Sequence, residues 1–135
     1  MRYSFILLAG GNSNRFKSNL PKPYHKIGGK TLIELSLNKI KQFKEFRKIV
    51  LVCNKKHLKF LKKIETNNIK IIIGGKTRQQ STYNALIYLK KYKKIKNVFI
   101  HDAARPNFSI DLIKKILFES KKSAAVVPIL KLQDA

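Results

Sequence analysis

Tryptophan is absent, cysteine occurs once, and seven acidic residues stand against thirty Lys and Arg in a chain of 135 residues. A lone cysteine excludes an internal disulfide and a thiolate metal cluster. Cys53 closes an apolar run, which suits a small buried residue; a reactive thiol is the other reading. No apolar stretch approaches the roughly 18 residues of a membrane-spanning helix. The run Phe5–Ala9 is too short for a secretory signal and leads straight into a Gly-rich turn. A cytoplasmic location without a membrane partner is therefore expected. The length allows one domain with one core.

The shortage of acids leaves a net charge of +23. Such a balance ordinarily points to nucleic acid or anionic lipid. Most of the excess, however, is Lys scattered over expected helix surfaces. The segment Lys90–Asn97 mixes Lys with Ile and Asn, three residues favoured by AT-rich codons. A nucleic-acid groove would add Arg and exposed aromatics. The charge is read as compositional drift with a general attraction for phosphates, and no nucleic-acid partner is expected.

Hydrophobic patterning alternates strand and helix. Tyr3–Ala9 reads as a buried strand, and Gly10–Lys30 as a long functional loop. Thr31 and Glu34 form a capping-box pattern ahead of a helix whose apolar face carries Leu32, Leu35, Ile40 and Phe43. Lys48–Cys53 is a second strand, His57–Thr66 a helix, and Ile69–Ile73 a third strand. Thr77–Tyr92 is a helix with Ala85, Leu86 and Leu89 inward. Asn97–His101 is a fourth strand. Ser109 caps a helix with Leu112, Ile113, Ile116 and Leu117 at helical spacing, and Ala124–Pro128 is a fifth strand. The order predicts an α/β fold, a doubly wound and mainly parallel sheet covered on both faces. Ligands of such sheets bind at the carboxyl ends of the strands.

Three motifs fall at those ends. The first, Leu8-Ala9-Gly10-Gly11-Asn12-Ser13-Asn14-Arg15 with Pro21-Lys22, follows the first strand. Glycines let phosphate oxygens approach backbone N–H groups, the short polar side chains add donors, and Arg15 supplies a planar fork. Lys22 lies between Pro21 and Pro23, in what reads as a stiff extended segment. The spacing is neither a P-loop nor G-x-G-x-x-G. The second motif is Gly74-Gly75-Lys76-Thr77-Arg78-Gln79-Gln80-Ser81. The third is His101-Asp102-Ala103-Ala104-Arg105-Pro106.

The first motif resembles that of the sugar-phosphate nucleotidyltransferases. With the other two, the chain resembles the 2-C-methyl-D-erythritol 4-phosphate cytidylyltransferase family along its whole length. The resemblance implies a Rossmann-like nucleotidyltransferase fold. It also implies joining of CTP to methylerythritol phosphate with release of pyrophosphate, and Mg²⁺ held mainly by the CTP phosphates rather than by protein ligands. Arg15 and Lys22 would be the catalytic cations on the triphosphate. Leu8, Ala9, Gly10, Gly11, Asn12 and Ser13 would lie under the nucleotide. Gly75, Lys76 and Ser81 would face the cytosine, and Ala103 the ribose. Asp102 and Arg105 would border the polyol phosphate, and Arg78 would brace the loop.

Plainer readings stand beside these. Ser81 fits the first turn of a helix, Asp102 a loop organiser, and His101 a strand end with a satisfied ring. Pro23 stands where the family usually has Gln, and Ala135 where it has Thr. The family continues beyond that point, so residues 1–135 are expected to be one nucleotide-binding domain, incomplete at its C-terminus. The full enzyme would be a homodimer. The rivals are a ribitol 5-phosphate cytidylyltransferase, a basic nucleic-acid-binding module, and a non-catalytic remnant.

Overall fold

The computed structural model describes residues 2–11 and 18–131. The elements run β1 (Arg2–Ala9), a 3-10 turn at Lys22–Tyr24, β2 (Lys26–Ile27), β3 (Lys30–Thr31), α1 (Leu32–Ile40), β4 (Phe46–Cys53), 3-10 turns at Lys55–Phe60 and Lys62–Ile64, β5 (Ile69–Ile73), α2 (Arg78–Lys90), β6 (Ile95–Asp102) and α3 (Ile110–Glu119).

Residues 3–9 of β1 are all buried. A strand buried on both faces belongs inside a parallel sheet. Accordingly β1 pairs in parallel with β4 on one edge and β6 on the other, and the order is β5-β4-β1-β6. Alternation then divides the core into two layers. Tyr3, Phe5, Leu7 and Ala9 join Ile33 and Leu37 of α1 and Ile113 and Leu117 of α3. Ile6 and Leu8 join Ala85 and Leu89 of α2 on the other face. An aromatic cluster anchors the larger layer, with Phe46 edge-on to Phe5 at 5.1 Å and to Phe99 at 4.9 Å. These geometries satisfy the ring quadrupoles as well as burying area.

The helix starts follow the sequence. Thr31 Oγ1 accepts from Glu34 N at 3.1 Å while Glu34 Oε2 accepts from Thr31 N at 2.7 Å, the expected reciprocal box. Ser109 Oγ accepts from Leu112 N at 3.0 Å. Cys53 is buried at the end of β4, and burial pushes its thiol up to about 11.

Several expectations are corrected. The segment read as a helix over His57–Thr66 is two 3-10 turns. Its apolar residues Leu58, Leu61 and Ile64 recur every three positions, the 3-10 period, and are joined by Leu61 N→Leu58 O and Ile64 N→Leu61 O bonds. The loop after Gly11 contains a turn and the β2–β3 hairpin, whose Gly28 and Gly29 both have positive φ (58° and 78°), as a type I′ turn requires. Leu35 is only partly buried, because Ile33, Leu37 and Ile40 occupy the sheet-facing stripe of α1. Leu86 is likewise 38% exposed, one residue round the helix from Ala85 and Leu89. Ala124–Pro128 is not a strand. It lines, with Asn97–His101, one cavity of about 460 Å³ over Leu112, Ile113 and Ile116, and so lies off the β6 edge instead of pairing with it. Pro128 also lacks an N–H for a ladder.

Two expectations follow. Leu51 is fully buried in β4, so Leu51→Ala is expected to cost about 2–5 kcal/mol in denaturant unfolding. His57 packs 5.1 Å from Tyr24, and desolvation, followed by Lys56 and Lys59, lowers its pKa. Folding therefore favours its neutral form. Its contribution is complete above the unfolded value of about 6.5 and is lost as pH falls through the folded value. Melting temperature measured from pH 7.5 to 5 should fall, and His57→Gln should flatten that dependence.

Candidate functional site

The strand register brings the motifs together. Ala9 lies opposite Cys53, Cys53 opposite Ile73, and Leu8 opposite Asp102. Neighbouring parallel strands are about 4.8 Å apart, so the segments leaving β1, β5 and β6 emerge along one rim. Gly74 N donates to Cys53 O at 2.8 Å and Ala103 N to Leu8 O at 2.8 Å, so both loops start tied to the adjacent strand. From β1 the chain winds outward to β4 and β5, then crosses to β6 on the other side. This makes the rim beside β1 a topological switch point.

Leu8 and Ala9 are buried at the end of β1, Gly10 is half-buried and Gly11 exposed. Asn12, Ser13, Asn14 and Arg15 lie outside the described residues, as do residues 132–135. Lys22 is exposed between buried Pro21 and Pro23. It is not in an extended segment. Tyr24 N→Pro21 O (3.0 Å) and His25 N→Lys22 O (3.2 Å) bonds close a 3-10 turn there, which Pro23 tolerates because it has no N–H to place.

The second loop is shaped by the first turn of α2. Thr77 Oγ1 caps Gln80 N at 3.0 Å. Ser81 Oγ accepts from Gly75 N at 3.1 Å, and Gln80 Oε1 accepts from Lys76 N at 2.9 Å. The amides of Gly75 and Lys76, two residues expected to face a base, are thus already held by helix side chains. Ser81 is buried, so it is both a first-turn residue and a wall of the loop. Close approach explains the glycines. A Cβ on Gly74 would lie 2.6 Å from Ser81 Oγ and 3.1 Å from Val52 Cγ1, and one on Gly75 would overlap Gln80 Cγ.

The third loop is joined to the second by charge. Arg78 Nε donates to Asp102 Oδ1 at 3.2 Å, and Arg105 Nε lies 4.0 Å from Asp102 Oδ2. Arg105 N donates to Asp102 O at 3.0 Å, closing a turn. Ala103 is buried and Arg105 exposed. The His101 ring is engaged, with Nε2 2.7 Å from Arg105 O and the ring edge-on to Phe108 at 4.8 Å. Gln80 was not among the candidates drawn from the sequence. Its signal was Thr77-x-x-Gln80, the spacing of a capping box.

A parallel sheet covered on both faces, with glycine-bearing loops gathered beside a switch point, defines a Rossmann-like fold of the nucleotidyltransferase kind. Residues 4–135 match the family described as 2-C-methyl-D-erythritol 4-phosphate cytidylyltransferase, and the chain belongs to that family. It is 53% identical over 134 residues to the bifunctional enzyme IspD/IspF of Pelagibacter ubique (strain HTCC1062), covering 99% of this chain and 36% of that one. It is 40% identical to the 2-C-methyl-D-erythritol 4-phosphate cytidylyltransferase of Thermosipho melanesiensis (strain DSM 12029 / CIP 104789 / BI429), covering 92% of this chain and 57% of that one. Among solved structures, 4-diphosphocytidyl-2C-methyl-D-erythritol synthase from Anaerococcus prevotii DSM 20548 superposes with a TM-score of 0.75 at 29% identity, over 96% of this chain and 59% of that one. The chain thus spans between about a third and three fifths of these proteins.

The two loop glycines should respond differently to alanine. At Gly75 the obstacle is an exposed Gln80 side chain that can swing away. Gly75→Ala should therefore free the Lys76 amide, seen as faster hydrogen exchange, with no further effect in a Gln80→Ala background. At Gly74 the obstacles are buried, and Gly74→Ala should cost about 1–3 kcal/mol in either background.

Proposed function

We propose that this chain is the nucleotide-binding part of an enzyme that joins CTP to 2-C-methyl-D-erythritol 4-phosphate, giving 4-diphosphocytidyl-2-C-methyl-D-erythritol and pyrophosphate. The observation that carries the reading is the junction of the second and third motifs at the rim where the first begins. Ser81 is bonded to Gly75, and Arg78 on the same helical turn is paired with Asp102.

A phosphate oxygen of the polyol phosphate attacks the α-phosphorus of CTP. The bond from that phosphorus to the bridging oxygen breaks, and pyrophosphate leaves with the electron pair. The attacking group belongs to the substrate, so the protein supplies orientation and charge rather than a nucleophile. Lys22 and Arg15 are the cations for the triphosphate and for the charge that gathers on the five-coordinate phosphorus. Leu8, Ala9, Gly10, Gly11, Asn12 and Ser13 are assigned to binding the nucleotide. Gly75 and Lys76 offer backbone carbonyls to a base amino group, and Ser81 offers its hydroxyl to the base edge. Asp102 and Ala103 border the ribose, while Asp102 and Arg105 face the second substrate.

Among the described residues no three His, Cys, Asp or Glu side chains cluster as a metal cage, and Asp102 at the rim is already shared by two guanidinium groups. That donor set fits Mg²⁺ carried mainly on the triphosphate oxygens, Asp102 being the carboxylate of the described rim loops. The bound ion would neutralise charge on the leaving pyrophosphate. The whole enzyme is read as a cytoplasmic homodimer without a nucleic-acid or membrane partner. Among the described residues no helix is long and apolar enough to cross a membrane.

Thermal unfolding with Mg²⁺ and each of CTP, UTP, ATP and GTP tests the assignment. A ligand at one hundred times its Kd stabilises by about 2.7 kcal/mol. The expected result is a CTP shift well above the others that Lys22→Ala removes. Equal shifts for all four that vanish with added salt would overturn it in favour of a general polyanion surface.

A further inference from the structure

Lys39 belongs to none of the three motifs. It projects from the last turn of α1 and is partly buried. Its Nζ donates to Pro106 O at 2.8 Å and to Phe108 O at 2.9 Å, and lies 5.2 Å from the centroid of the Phe108 ring. Both carbonyls belong to the loop that carries Arg105. Loop carbonyls have no ladder partner and must find donors elsewhere. An ammonium has three protons, and here two go to this one loop. Hydrogen bonds from a charged donor are the stronger kind, and holding a lysine in one rotamer costs entropy that a solvated lysine keeps.

The loop is also gripped from the sheet side, through His101 Nε2 and Arg105 O at 2.7 Å. Phe108 is buried, 6.4 Å from Phe5 and 4.8 Å from His101. The Arg105 backbone is therefore fixed from both directions while its side chain remains 80% exposed, reaching Asp102 only at 4.0 Å. A guanidinium on a fixed backbone, largely exposed and paired with Asp102 only at 4.0 Å, is suited to an incoming phosphate.

We propose that Lys39 is a positioning residue for the polyol-phosphate side of the site. It clamps the carbonyls of Pro106 and Phe108 and so sets the direction in which Arg105 leaves the loop. The proposal rests on the assignment of Arg105 to the second substrate. Among the described residues both hydrogen bonds of Lys39 go to the third loop, so its loss acts on the substrate assigned to that loop more than on the other.

The test uses the full chain with Lys39→Met and Lys39→Arg. Met is a good helix former and keeps the apolar stem, so α1 is retained; should it fail to fold, Lys39→Gln replaces it. Amide hydrogen exchange is followed at Arg105–Ser109 and Gly74–Lys76. Binding of CTP with Mg²⁺, and of 2-C-methyl-D-erythritol 4-phosphate in the presence of CTP, is measured by calorimetry. In Lys39→Met, exchange at Arg105–Ser109 should rise about tenfold without change at Gly74–Lys76. The polyol phosphate should bind at least fivefold more weakly and CTP within twofold of the parent, with Lys39→Arg restoring most of the loss. Unchanged exchange at the loop, or equal weakening of both ligands, would overturn the proposal. A parent chain that binds neither ligand would overturn the substrate reading instead, and the exchange comparison would still decide whether Lys39 holds the loop.

Discussion

The register of β1 between β4 and β6 is the constraint on which the remaining structure depends. A slip of one residue in a strand exchanges its two faces. Here it would send Phe5, Leu7 and Ala9 toward α2, and Ile6 and Leu8 toward α1 and α3. The two layers are unequal. The larger one accepts aromatic rings, while the smaller is built from Val, Ile, Leu and Ala under a single helix with the rings of Tyr88 and Tyr92 at its margin. A slipped strand would force Phe5 into the thin layer and leave a cavity in the thick one. The fixed register in turn aligns Ala9, Cys53, Ile73 and Asp102, and so fixes where the three motifs begin.

The imbalance of charge has a structural counterpart. With seven acids for thirty basic residues, a lysine has few carboxylates to meet. Among the described residues Lys70–Glu65 is the lysine ion pair. Other lysines settle on carbonyl oxygens and aromatic faces. Lys48 donates to Asn67 O, Lys91 lies 4.0 Å over Tyr88, and Lys122 lies 4.2 Å over Phe118. Lys39 does both at once. Composition read as drift has therefore been absorbed into local structure, with ammonium groups serving as donors for loop backbone. Exposed ion pairs contribute little in any case, so the exchange costs the fold little.

The sheet was legible because β4 and β5 are β-branched runs ended by Asn54 and Gly74 and β1 is an apolar run ended by Gly10, and the caps were legible because Thr31, Glu34 and Ser109 sit at fixed offsets from apolar stripes. The segment after Cys53 was misread because Leu58, Leu61 and Ile64 satisfy a helical template loosely and a 3-10 template closely, over too short a run for count alone to separate them. Ala124–Pro128 has the composition of a strand, but a strand needs a neighbour, and composition does not reveal whether one is in reach. The motif positions were readable as loops at the carboxyl ends of strands. Which amides were already occupied was not, because Gln80 and Ser81 reach back over a turn that only coordinates display. Lys39 was invisible for a related reason. Its partners lie 67 and 69 residues away, and nothing in its local sequence separates it from the other lysines.

The first turn of α2 is where these threads meet. Thr77, Gln80 and Ser81 recur at three- and four-residue spacing, so they share the side of the helix that faces the preceding loop. Arg78 is rotated by one residue and reaches sideways to the end of β6. One turn of helix thus caps itself, holds the amides of Gly75 and Lys76, and joins the second loop to the third. Further along, Ala85 and Leu89 seat the same helix on Ile6, Leu8, Val50 and Val52. The distance between the loop expected to read a base and the loop expected to border the ribose is therefore set by helix-on-sheet packing, not by the loops themselves. Rigid packing transmitted through one turn lets two loops keep a defined spacing, which the proposed in-line transfer between two bound substrates demands.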